Sequence, residues 1–77
     1  MSDKQKKYYD GLRHSWYKRI EASGFDWQVV ADIFSDAGNE IGNITWTNDP
    51  EEAKEDMVAL ARNIVLTDKW VKGKQNE

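Results

Sequence analysis

Cysteine is missing from this 77-residue chain. That excludes a disulfide framework, a thiolate metal site and a catalytic thiol, and it is compatible with a reducing cytosol. Histidine occurs once, as His14 beside Ser15. Adjacent helical residues point about 100° apart, so the two do not form a nucleophile and base pair with each other. The five glycines are isolated and build no phosphate-cradling loop. A calcium-loop pattern started at Asp36 puts Ile41 where glycine is required and Thr47 where the closing glutamate belongs, so it fails. No apolar run approaches the roughly 18 residues that cross a bilayer, and the charged N-terminus has no apolar segment behind it. The expectation is a cytoplasmic protein that is not an enzyme, holds no metal or cofactor and does not engage a membrane.

Proline also occurs once, and its position is informative. In Asp49-Pro50-Glu51-Glu52 the aspartate can accept hydrogen bonds from the first turn of a helix, and Pro50 loses no bond at the first helical position. The two glutamates meet the positive end of the helix dipole. Ala53, Met57, Leu60, Ala61 and Ile64 then recur at the spacing of one helix face, and Val58 and Val65 widen the stripe. Lys54, Glu55, Arg62 and Asn63 fall outside it. Lys69, Lys72 and Gly73 make a helix end, with Thr67-Asp68 as an earlier stop. This segment, about residues 50–71, is predicted to be the central helix.

Upstream, Tyr9, Leu12, Trp16 and Ile20 form a helical stripe over about residues 5–22, with Ser2 or Asp3 as cap and Ser23-Gly24 as stop. Gly11 costs about 1 kcal/mol inside a helix, so either the helix starts after it or another backbone comes close. Asp26 caps a second helix, about 27–37, with Phe25 set to pack on Val30. Val30, Ile33, Phe34, Ala37 and Ile41 form its buried face, while Trp27 and Val29 suggest contact from a second side. Gly38-Asn39 and Gly42-Asn43 read as helix ends. Ile44-Thr45-Trp46-Thr47 reads as an extended linker anchored by Trp46, with edge pairing in a homodimer as the alternative. Residues 74–77 read as a frayed tail.

Three amphipathic helices with short connections predict an all-α fold, a compact bundle of three helices with an extended linker between helices 2 and 3, in one domain over residues 1–77. A core this small yields roughly 3–5 kcal/mol, so a monomer or weak homodimer is expected. Four tryptophans, three tyrosines and two phenylalanines are more than such a core readily holds. One or two exposed rings would mark a contact surface.

The net charge of −3 hides an asymmetry. Residues 1–24 hold six Lys/Arg against three acids, 25–56 one against nine, and 57–77 four against two. Basic helix ends lying beside acidic helix starts would explain this within the molecule. A functional explanation is a small interaction or regulatory protein that binds a partner protein through an acidic, aromatic-containing surface. Its candidate residues are Asp32, Asp36, Glu40, Glu51, Glu52, Glu55, Asp56 and Trp46. In size and charge such a protein broadly resembles the small acidic inhibitors encoded by phages and mobile elements, without matching a particular family. The alternative is a nucleic-acid module using Lys6, Lys7, Tyr8, Arg13, Tyr17, Lys18 and Arg19, which mix phosphate-neutralising charge with stacking rings. A helix-turn-helix laid over 30–44 fits badly, because its recognition helix would carry no Lys or Arg.

Overall fold

The computed structural model describes residues 3–44 and 49–75. Three helices, α1 (Asp3–Ala22), α2 (Trp27–Ile44) and α3 (Pro50–Gln75), form an up-down-up bundle 42 Å in its longest dimension. The predicted three-helix architecture is what the chain adopts. Ile44, read as the start of an extended linker, is instead the buried last residue of α2; Ser2, Thr45, Trp46 and Thr47 and the last two residues of the tail lie outside the described residues.

The caps of α2 and α3 act as their sequence implies, whereas Asp3 is already the first residue of α1 rather than its cap. Asp49 Oδ1 accepts from the N–H groups of Glu51 and Glu52 at 3.1 and 3.3 Å, and Asp26 Oδ1 accepts from Gln28 N–H at 2.9 Å. At the end of α1, Phe25 N–H reaches back to the Ile20 carbonyl and Gly24 N–H to that of Glu21, each at 3.0 Å. This is a Schellman stop, with Gly24 at φ 72°. Phe25 also adopts a left-handed φ of 59°. Its ring lies 5.2 Å from that of Trp70, so ring packing offsets a backbone conformation that is costly for a bulky residue.

The helices outrun their predicted limits. α1 starts at Asp3 and continues through Gly11, where an added Cβ would meet nothing within 4 Å. Neither a late start nor a close backbone explains that glycine. α2 passes Gly38 and Gly42 and ends at Ile44, while α3 passes Thr67-Asp68 and Gly73 and takes Lys74 and Gln75 into its last turn. Propensity loses in α2 because Ala37 and Ile44 are buried and Ile41 is packed against the core, so extending the helix gains burial that exceeds about 1 kcal/mol per glycine. The continuous α2 also removes the turn that a helix-turn-helix would need.

The two glycine settings predict opposite outcomes. Gly11→Ala should raise stability by about 1 kcal/mol, a rise of roughly 4–8 °C in Tm. Gly24→Ala should lower stability by about 1–2 kcal/mol, because an alanine Cβ crowds the left-handed backbone. Thermal melts of the two variants followed by circular dichroism check the pair; equal shifts would contradict the difference in backbone setting.

The core joins Tyr9, Trp16 and Ile20 of α1 to Val30, Ile33, Ala37 and Ile44 of α2 and to Ala53, Ala59, Leu60 and Val71 of α3. α3 is the central element and packs on both other helices. Its parallel neighbour α1 meets it along Gln5–Asp56, Tyr9–Asn63 and Tyr17–Trp70. Contact from two sides turns the buried arc of α3 away from its most apolar arc. Asn63, read as solvent-facing, is 3% exposed, whereas Val58 and Val65, read as core, are 63% and 52% exposed. Ala61 is exposed as well, and Trp27 faces solvent rather than a second helix.

Candidate functional site

Tyr8 is the most exposed large hydrophobic side chain among the described residues, at 64%, and its place follows from helix geometry. The apolar stripe Tyr9, Leu12, Trp16 turns inward, which leaves Tyr8 on the shoulder of α1. From there the ring borders two depressions. One is an open groove of about 550 Å³ between the starts of α1 and α3, lined by Lys4, Gln5, Tyr8, Tyr9, Glu52, Glu55 and Asp56. The other is a recess of about 270 Å³ where Tyr8, Leu12, Trp16 and Arg19 face Asp36, Ala37 and Glu40 of α2 above Leu60.

The acidic residues therefore gather on both sides of one ring. Glu52, Glu55 and Asp56 lie on the α3 side, Asp36 and Glu40 on the α2 side, and Lys4 and Arg19 supply one cation to each depression. Asp56 also has structural work: it accepts from Gln5 Nε2 at 3.0 Å and from the Tyr9 hydroxyl. Burial, with the Asp56 carboxylate close by, pushes the Tyr9 hydroxyl up to about 12, and Glu40 adds to the same field. Two predicted members stand apart. Asp32 accepts from Gln28 Nε2 at 3.0 Å one turn before Asp36, and Glu51 lies beside Lys54, Glu55 and Val58 on the outer side of α3. Trp46 is outside the described residues.

The basic set is not brought together. Lys6 and Arg13 turn toward α3 and, with Asp10 and Arg62, line a cleft of about 200 Å³ over buried Asn63. Lys7 borders a separate depression with Asp3, Lys4, Lys6 and Asp10. Lys18 is exposed, while Arg19 and Tyr8 lie on the α2 side among acids. The Tyr17 ring is stacked on Trp70 at 4.2 Å, and His14 meets its edge. That face of Tyr17 is used within the molecule.

Sequence reasoning missed the Arg13–Asn63 pairing. Arg13 Nη1 donates to Asn63 Oδ1 at 3.0 Å, and Asn63 Nδ2 donates to the Tyr9 carbonyl at 2.8 Å. The partners are 50 and 54 residues apart, so no local pattern reports them. The salt bridges Arg13–Asp10 (3.8 Å) and Lys72–Asp68 (2.9 Å) lie within single helices.

The candidate site is thus a pair of shallow depressions flanking Tyr8 on a three-helix bundle, with Glu52, Glu55, Asp56 and Lys4 lining one and Asp36, Glu40 and Arg19 the other. Among the described residues no group of His, Asp and Glu could hold a metal ion, and no helix is long and apolar enough to cross a membrane. Comparison with protein-family models, curated proteins and solved structures returns no match.

Proposed function

We propose that the protein is a small, non-enzymatic interaction protein of the cytosol, which binds a partner protein carrying exposed Lys or Arg side chains, as a phage-type inhibitor would. One observation carries this reading: exposed Tyr8 lies between Asp36 and Glu40 on one side and Glu52, Glu55 and Asp56 on the other. A cation approaching the ring gains attraction from its face and from the carboxylates around it, while the acids steer encounter at a distance. Phosphates approaching the same ring are repelled.

The test is a calorimetric titration with a short arginine-rich peptide. The wild-type protein should bind saturably, and more weakly as salt is raised. Tyr8→Ala combined with Glu40→Lys and Glu52→Lys should weaken binding about tenfold or more, because an exposed aromatic and two charges are lost together. Unchanged affinity in a triple variant that keeps its helical circular dichroism would sink the reading.

A second reading, binding to a nucleic-acid backbone, has support from the cleft lined by Lys6, Arg13 and Arg62. Oligonucleotides titrated in parallel separate the two. Saturable, salt-sensitive binding that is lost in Lys6→Gln with Arg62→Gln, beside no response to the peptide, would replace the first reading with this one.

A further inference from the structure

The outer side of α3 carries a second stripe, distinct from the acidic face around Tyr8. Residues 51, 54, 58, 61, 65, 68 and 72 recur at three and four residues along the helix, which aligns them on one side. In order they are Glu51, Lys54, Val58, Ala61, Val65, Asp68 and Lys72, all exposed except the half-exposed Asp68. Val58 and Val65 are the most exposed large aliphatic side chains of the described residues. They stand two turns apart, about 10 Å along the axis, with only the small side chain of Ala61 between them.

The order of these residues has a symmetry that a solvated surface does not require. Taken in reverse order about Ala61, the stripe matches itself to within about one residue, or about 1.5 Å along the axis, with complementary chemistry: Val58 falls opposite Val65, Lys54 opposite Asp68, and Glu51 opposite Lys72. A surface complementary to its own reversed copy is what a two-fold interface demands, because each contact then occurs twice. We propose that this face is covered by a second copy of the chain, with the two α3 helices antiparallel about a two-fold axis at Ala61.

Ala61 lets the helices approach closely at the crossing, the paired valines cover each other on both sides of it, and the ion pairs fix the direction. Arg62 stands next to the axis but lines the cleft toward α1, which keeps it off the contact. One helix pair buries less than the roughly 800 Å² per partner of a stable complex, so the dimer is weak, with Kd on the order of 100 μM. Glu51→Lys, Lys54→Glu, Asp68→Lys and Lys72→Glu all change exposed or half-exposed side chains and break only the solvent-facing Asp68–Lys72 pair within α3, a contact of small worth, so the bundle is retained.

Sedimentation equilibrium from about 10 μM to 1 mM tests the proposal. The wild-type protein should pass from monomer to dimer in this range. The variant carrying Lys54→Glu with Lys72→Glu puts acids against acids, and that carrying Glu51→Lys with Asp68→Lys puts cations against cations. Each should dimerise about tenfold or more weakly than wild type. Mixed one to one, they should regain wild-type association, because every pair is again of opposite sign. A wild-type protein that stays monomeric at 1 mM would overturn the proposal, and so would charge variants that dimerise as wild type. A mixture that stays monomeric while the wild type dimerises would overturn the antiparallel register. The acidic groove around Tyr8 keeps its own test, since these charge changes leave Tyr8, Glu40 and Glu52 untouched.

Discussion

Replacing Leu60 by alanine is expected to leave most of the protein unfolded at 25 °C. Leu60 is fully buried, and it forms the floor of the recess where Leu12 and Trp16 of α1 meet Ala37 of α2. It is therefore a side chain at which the central helix faces both neighbours. A leucine truncated to alanine in a packed core loses its transfer free energy and leaves a cavity, together about 3–5 kcal/mol. Domains of this length hold only about 3–5 kcal/mol in reserve. The loss thus matches the whole margin, and far-UV circular dichroism should show most of the helical signal gone. Leu60→Met, close in volume, should cost less than about 1.5 kcal/mol and keep the fold. Val65→Ala on the outer stripe should stay within about 0.5 kcal/mol, because its side chain is already in water. A Leu60→Ala protein that melts like Val65→Ala would show that the three helices do not meet at this residue.

The contrast between Leu60 and Val65 marks where the sequence was legible. Both are apolar and both sit at helical spacing, so periodicity alone puts them on one broad stripe. What divides them is the direction from which α1 and α2 approach, a tertiary property carried by residues on the other two helices. Start signals fared better because they are local: Asp49 with Pro50, and Asp26, close their own first turns in the structure as their chemistry requires. Stop signals fared unevenly for the same reason. Gly24 ends α1 where the chain must reverse, whereas Gly38, Gly42 and Gly73 lie inside helices. The charge asymmetry of the candidate site could be counted in the sequence, but its geometry could not. Tyr8 read as a stacking ring on a basic helix because Lys6 and Lys7 precede it, yet its spatial neighbours include Asp36, Glu40, Glu52 and Asp56 from the other two helices.

Asn63→Ala is expected to cost about 2–4 kcal/mol, a large effect for a polar residue that the sequence assigns to solvent. The amide is 3% exposed and works in both directions, donating to the Tyr9 carbonyl at 2.8 Å and accepting from Arg13 Nη1 at 3.0 Å. Removing it opens space in the α1–α3 contact and takes a partner from a guanidinium whose Nε is already buried and unpaired. A hydrogen bond to a charged donor is worth about 1.5–3 kcal/mol, more than most neutral ones. Thr67 is the counter-case on the same helix: fully buried, with a hydroxyl that makes no hydrogen bond. Thr67→Val should therefore be neutral or stabilising, by up to about 1 kcal/mol. A double-mutant cycle combining Asn63→Ala with Arg13→Met, followed by urea denaturation, isolates the cross-helix term. Coupling of about 1 kcal/mol or more is expected, since the residues are in contact. Coupling near zero, with Asn63→Ala no worse than a surface substitution, would mean that Asn63 is buried for packing alone. The sign of the Thr67 effect would then decide whether α3 tolerates polar side chains at its centre or depends on one of them.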